Sequence, residues 1–334
     1  MNVLIIQIDG KLPNLALMRI AAHHRERGDH IEFRHGSDFG GLFDEQFDRV
    51  YASTIFERSR LLACQLLRTY PDAIIGGTGW DRSRCLEDVG ITGAKMDYSI
   101  YPDYRQSIGF AMRGCRLCCP FCVVPAKEGR ARANNKIAEI WRGEPWPREI
   151  VLLDNDFFGN PEWRERLREI RDGRFKVCFT QGINARLLTP EQAEAIAFVD
   201  YRDSKMVQRR LYTAWDNTHD EAHFFAGLDL LCRNGVRPRH LLVYMLIGFA
   251  PGETHEDRDH RRRKLREFGA LPYPMPYCRT PELVGFQRWI VGAYDKRVSW
   301  GEWQAANYEP RRLGKRQPRA MDECDAEFPE AVMI

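Results

Sequence analysis

Between Gln106 and Tyr277 a short apolar run recurs six times, the first five each followed by a polar loop, with helix-patterned stretches between them. The runs are "QSIGFAM" from Gln106, "EIVLL" from Glu149, "FKVCF" from Phe175, "RLYTA" from Arg210, "LLVYMLI" from Leu241 and "LPYPMPY" from Leu271. Apolar runs of this length, bounded by turn residues, read as strands buried on both faces. Parallel strands need long crossovers, so regular alternation with helices predicts an α/β protein built on parallel sheet. Two of the intervening stretches open on helix-start devices, Asn160 with Pro161 and Thr189 with Pro190. Six such units predict an open or partial (β/α)6 barrel over residues 101–280.

The residues before them repeat the alternation. "NVLIIQI" reads as a strand, "DGKLPN" as a loop, and Leu15 to Arg27 as a helix closed by Gly28. "HIEFRH", "DRVYAST" and "DAIIGG" read as further strands, with a helix from Glu57 to Arg68. This predicts a doubly wound first domain over residues 1–100 and leaves 281–334 as a C-terminal extension. Met1 to Lys11 lacks the basic start of a secretory signal. "LLVYMLIGFA", from Leu241, falls short of the roughly 20 residues of a membrane span. The expectation is a cytoplasmic protein without membrane contact, in a compartment where disulfides do not persist.

Net charge is +3, but it is uneven: "RDHRRRKLR" (258–266) and "RRLGKRQPR" (311–319) are basic, and "DECDAEFPE" (322–330) is acidic. Such runs are solvated helix faces and tails, or footprints for phosphate groups. The sequence leaves both readings open.

The loops at the strand ends are more telling. They are "RGCRLCCPFC", "DNDFF", "TQGIN", "WDN" and "GFAPGE". Barrel enzymes build their sites at the C-terminal ends of the strands, so five polar loops in register predict one active-site mouth. Four of the ten cysteines fall between Cys115 and Cys122. A structural zinc site usually takes two cysteine pairs separated by a long loop, and no second pair is visible. Ferredoxin-type runs have another spacing and a fourth ligand. Here Cys115, Cys119 and Cys122 form C-x3-C-x2-C, and Cys115, Cys118 and Cys122 form a competing set.

The C-x3-C-x2-C spacing, with Phe121 before the last thiol, resembles the signature of the radical S-adenosylmethionine (SAM) superfamily. The loop "RGCRLCCPFCVVPAKEG" looks like those of its methylthiotransferase and cobalamin-type groups. The resemblance implies a [4Fe–4S] cluster held by Cys115, Cys119 and Cys122, with Cys118 a bystander. The fourth iron is then open to the amino and carboxylate groups of SAM. It also implies reductive cleavage of SAM to a 5′-deoxyadenosyl radical that abstracts hydrogen from substrate, and a low-potential electron donor of flavodoxin or ferredoxin type.

"DNDFF" stands where the superfamily contacts the SAM amino group, although a Gly-Gly-Glu motif is missing; Asp154, Asn155 and Asp156 are the residues implied there. "FTQGINARLL" stands where relatives hold the SAM ribose and carboxylate, which implies Gln181, Asn184 and Arg186. "YTAWDN" and "VYMLIGF" add Asp216 to this set, with Trp215, Tyr244 and Met245 as lining residues.

The first domain is similar to the Rossmann-like, cobalamin-binding-like domain that precedes many radical SAM cores. It is short, and its loop "QIDGKLPN" carries no histidine, so a degenerate domain without cobalamin is expected. The aromatic stretch "GFQRWIVGAYDKRVSWGEW" and the basic runs would suit a nucleotide or nucleic acid substrate through stacking and phosphate contacts. The alternatives are a cobalamin-dependent radical SAM methyltransferase and a non-catalytic iron–sulfur electron-transfer protein. Without a second cysteine cluster, sulfur insertion through an auxiliary cluster is not expected.

Overall fold

In strand β1 (Asn2–Gln7) successive side chains enter two different cores. Val3 and Ile5 pack with Leu17, Met18 and Tyr51, whereas Leu4 and Ile6 pack with Ala63 and Leu66. This is the period-2 consequence of a strand covered on both faces. The computed structural model describes residues 1–40 and 46–307, and the chain divides into two units. Of the described residues, the first unit takes 1–109 and 142–147, and the second takes 110–141 and those from 148 onward.

In the first unit β1 is followed by α1 (Leu15–Glu26), β2 (His30–His35), β3 (Arg49–Ser53), α2 (Arg60–Thr69) and β4 (Ile74–Gly76). The Asn14 side chain accepts from the N–H groups of Ala16 and Leu17, which caps α1. Gly28, at φ 78°, ends it. The helix expected over 57–68 begins with one 3-10 turn at Glu57–Ser59. All four strands are parallel in the order β2-β1-β3-β4, a doubly wound arrangement.

The chain leaves this unit through a short strand, β5 (Ser107–Gly109). In the second unit β6 (Met112–Arg113) pairs antiparallel with β7 (Arg132–Ala133), pinning the two ends of the cysteine loop together, with α3 (Val124–Glu128) between them. After α4 (Ile137–Ile140) come β8 (Glu149–Leu152), α5 (Trp163–Asp172), β9 (Lys176–Phe179), α6 (Pro190–Ala197) and β10 (Asp200–Tyr201). These are followed by β11 (Leu211–Ala214), α7 (Glu221–Arg233), β12 (Leu241–Ile247), α8 (His255–Phe268), β13 (Leu271–Pro276), α9 (Pro281–Val291) and α10 (Trp300–Asn307).

The ladders β8–β9, β9–β10, β11–β12 and β12–β13 are all parallel, so the protein is α/β with parallel sheets. Within this unit their hydrogen bonds divide between two sheets, β10-β9-β8 and β11-β12-β13. The sheets adjoin where Ile183 N–H donates to the Tyr212 carbonyl at 2.8 Å. Gly182 makes that approach feasible: a Cβ there would stand 2.9 Å from the same oxygen.

Three local expectations change in the structure. The helix after Asn160 begins at Trp163, because the Asn160 amide bridges the Ala111 carbonyl and its oxygen accepts from Glu162 N–H. The aromatic stretch from Gly285 is not a free tail: Phe286, Trp289 and Ile290 are buried in the core of the second unit. The basic run of α8 is consumed internally. Arg258 pairs with Glu282, Arg261 with Glu253, Arg262 and Arg263 with Asp259, Lys264 with Glu221, and Arg266 with Asp295. The basic and acidic runs beyond residue 307 lie outside the described residues. Among the described residues, no helix is long and apolar enough to cross a membrane.

Candidate functional site

The cysteine loop begins at Gly114, whose φ of 78° and close packing admit only glycine; a Cβ would stand 2.2 Å from the Arg130 carbonyl. Its N–H donates to the Glu128 carboxylate at 2.9 Å. Glu128, with a side chain 2% exposed, also takes the Arg113 guanidinium at 3.1 Å and the Asn155 amide at 3.3 Å. One buried carboxylate thus fastens the start of the loop to its end and to the segment after β8.

Between these anchors Cys115, Cys119 and Cys122 are half-buried, while Cys118 is exposed. Leu117 N–H points at the Cys115 sulfur, 3.4 Å away, and Cys122 N–H donates to the Cys119 carbonyl at 2.9 Å. Burial pushes the Cys115 thiol up to about 11, with the charges of Asp156, Cys122 and Cys119 adding to it. Burial likewise raises Cys119, against the pull of the Arg186 guanidinium, and raises Cys122.

Residues of five further strand-end loops connect to the cysteine loop, directly or through one intervening side chain. From the loop after β8, Asp156 holds Arg116 through paired hydrogen bonds of 2.7 and 2.9 Å. From the loop after β9, Arg186 lies beside Cys119, steadied by an ion pair with Asp220 and by the Asn184 oxygen at 3.4 Å. From the loop after β11, the Asp216 carboxylate is near enough for its charge to act on Cys119 and Cys122. Burial raises its carboxyl, opposed by the Leu246 N–H and by Arg261 and Arg186. From the loops after β12 and β13, Phe249 contacts the Phe121 ring edge-on at 5.3 Å and Tyr277 at 4.9 Å.

Gln181 carries a buried side-chain oxygen with no protein partner. A buried polar atom without a protein partner is costly, so a water or a ligand donor belongs beside it. Among the described residues, no three His, Cys, Asp or Glu side chains converge on one point where a single metal ion could sit. An iron–sulfur cluster asks for a different arrangement, in which each thiolate meets its own iron. Three half-buried thiols on one loop, beside an arginine, are donors of the type such a cluster takes.

The residues expected from sequence sort into two groups. Cys115, Cys119, Cys122, Arg186 and Asp216 are brought together, with Asn184 orienting Arg186 and Gln181 on the same loop. In the triplet Asp154, Asn155 and Asp156 the buried Asp154 Oδ2 has no protein partner, like the Gln181 oxygen, and the other groups are engaged within the protein. One Asp154 oxygen accepts from Ala111 N–H at 2.8 Å and Met112 N–H at 3.3 Å, Asn155 donates to Glu128, and both Asp156 oxygens are taken by Arg116. Trp215 is buried and stacked on Phe224, and Met245 is buried, so both belong to the core.

The sequence reading missed Glu128, Arg116, Asp220 and the buried pair Arg261–Glu253. Only Glu128 left a signal, as the acid before Gly129 in the cysteine loop. Arg261 hid inside a run that read as surface.

In the first unit the loop after β1 is closed on itself. The Gln7 side chain is fully buried and donates to the Asp9, Gly10 and Leu12 carbonyls. Asp9 accepts from Thr54 Oγ1 and from the N–H groups of Ile55 and Phe56. Gly77 and Gly79 press against the Thr54 and Phe56 carbonyls, where a Cβ would stand at 2.2 and 2.5 Å. The polar groups of this loop are thus turned toward one another.

No protein-family model matches the chain, and no solved structure matches it. Among curated proteins, a tRNA-2-methylthio-N(6)-dimethylallyladenosine synthase of Sulfurihydrogenibium sp. (strain YO3AOP1) is 27% identical over 168 residues. That match covers 44% of this chain and 37% of the relative, so the chain spans well under half the length of the protein it resembles. The relative is by name an enzyme of the methylthio group, the group whose cysteine loop this one resembles.

Proposed function

We propose that this protein is a radical SAM enzyme, with a [4Fe–4S] cluster on Cys115, Cys119 and Cys122 and SAM in the mouth formed by the five strand-end loops. The observation that carries this is the meeting of three half-buried thiols from one loop with Arg186 and Asp216 from two others. When bound, the cluster supplies the electron that cleaves SAM to methionine and a 5′-deoxyadenosyl radical able to abstract hydrogen from substrate.

The protein's own part is to bind and exclude. Arg186, fixed by Asp220 and Asn184, presents a cation to a carboxylate. Asp216 accepts from Leu246 N–H at 3.0 Å through one oxygen and offers the other to an ammonium or hydroxyl. The Gln181 oxygen gives a further acceptor. Phe121, next to Cys122 in the chain, packs on Phe249 and Phe249 on Tyr277, an aromatic row that starts at the cysteine loop. We read the two sheets of the second unit as a partial barrel and the protein as cytoplasmic, served by a flavodoxin- or ferredoxin-type donor. The named relative acts on a tRNA adenosine, which makes an RNA nucleoside the first substrate class to try.

The test is anaerobic reconstitution followed by reduction with dithionite in the presence of SAM. Wild type should hold close to four irons per chain and release 5′-deoxyadenosine. Ala at Cys115, Cys119 or Cys122 should abolish both, whereas Cys118→Ala should retain the cluster. A loaded, reduced protein that makes no 5′-deoxyadenosine above the Cys122→Ala control would leave an electron carrier as the reading.

A further inference from the structure

Asp156 is a buried carboxylate that touches the cysteine loop at one residue only. Its side chain is 1% exposed, and all three of its polar contacts with that loop are with Arg116. Oδ2 accepts from Arg116 N–H at 3.1 Å and from Nε at 2.7 Å, and Oδ1 accepts from Nη2 at 2.9 Å. This two-pronged guanidinium–carboxylate fork is among the stronger polar contacts a protein makes. The fold makes room for it: a Cβ on Gly159 would stand 2.3 Å from Asp156 Oδ2 and 3.0 Å from Arg116 Nε.

Arg116 is the residue next to Cys115, and the charges of both Arg116 and Asp156 act on that thiol's surroundings. With both carboxylate oxygens engaged, Asp156 has no free face for a cofactor. A buried ion pair is weak evidence for stability, since an apolar pair of like volume often serves as well. Its placement beside a sulfur gives it another use.

We propose that Arg116 and Asp156 are a positioning pair for the cysteine loop, holding one compensated positive charge beside Cys115 and thereby setting the reduction potential of the cluster bound there. This rests on the iron–sulfur reading above. Iron–sulfur potentials follow net charge and hydrogen bonding near the sulfurs. The two single variants should therefore move the potential in opposite directions. Asp156→Asn leaves the guanidinium uncompensated, which favours the reduced cluster and makes the potential more positive. Arg116→Gln removes the cation and leaves the carboxylate, which makes it more negative. Loss of the fork should also loosen the loop, so iron should pass to a chelator about tenfold faster from Asp156→Asn.

The experiment is a potentiometric titration of full-length, anaerobically reconstituted protein, read by electron paramagnetic resonance and visible absorbance, with chelator-driven iron release as the second readout. Opposite shifts support the pair. Shifts of the same sign, or potentials equal to wild type, overturn it, because a merely structural contact has no reason to respond to the sign of the charge removed. Loss of SAM binding by Asp156→Asn at an unchanged potential also overturns it and returns Asp156 to the cofactor. If wild type itself takes up no cluster, the iron–sulfur reading fails, a result distinct from the others. Should Arg116→Gln, which strands the buried Asp156 carboxylate, not fold, Asp156→Asn decides alone by a positive shift, because the guanidinium it leaves is 35% exposed.

Discussion

Replacing Arg261 by Met removes the cation that ties α8 to the ends of β11 and β12. Nη1 donates to the Trp215 carbonyl at 3.1 Å and the Leu246 carbonyl at 2.9 Å, and Nη2 pairs with Glu253. Arg261 is 2% exposed in its side chain and Glu253 8%, so water cannot replace the lost partner. Breaking a buried pair from one side costs about 3–5 kcal/mol, and Glu253 keeps only the more distant Arg258, at 3.8 Å, as a counter-charge. For a unit of roughly 150–250 residues that lowers Tm by about 6–20 °C.

The assay is urea unfolding followed by tryptophan fluorescence, since buried Trp215 stacks on Phe224 in the same region. A fall in midpoint at constant slope reads as lost stability. Arg261→Met with Glu253→Met removes both charges and should recover about 1–3 kcal/mol relative to the single change. The site should feel the single change too, because Leu246 N–H, beside one of the lost contacts, orients Asp216. A single variant within about 1 kcal/mol of wild type, or a double variant no better than the single, refutes the reasoning.

Two further outcomes concern the same loops. Burial pushes the Asp154 carboxyl up to about 7, against the N–H groups of Met112 and Ala111, from an ordinary value of 3.8. A raised carboxyl favours the protonated native state, so its contribution is complete below about pH 4 and is lost as pH rises toward about 7, up to about 4 kcal/mol. Asp154→Asn should flatten that slope in chemical unfolding across the window, and an unchanged slope sinks the assignment. Gly114→Ala should cost at least about 2 kcal/mol in thermal unfolding, since it combines left-handed strain with a clash. Gly90→Ala, at the same φ of 78° but with open space around it, should cost about 1–2 kcal/mol. Equal losses at the two positions would show that the Arg130 carbonyl yields.

Apolar runs and helix caps, read along the chain alone, placed β1, α1, β8, β9, β11, β12 and β13 close to where they fall, because strand burial and end-capping are local properties of the chain. The same reading put polar residues at the strand ends and made Cys115, Cys119 and Cys122 the chemical centre. The employment of the charged residues belonged to the tertiary structure. "DND" reads as three free polar groups, yet Asp156 is taken by Arg116, 40 residues earlier. "RDHRRRKLR" reads as surface, yet Arg261 is buried against the carbonyls of two strands. "GFQRW" reads as a tail, yet Phe286 and Trp289 complete a core. A side chain's type and period are written in the sequence. Its counter-charge is not, because the partner of a buried charge is chosen by which distant segments the fold packs together.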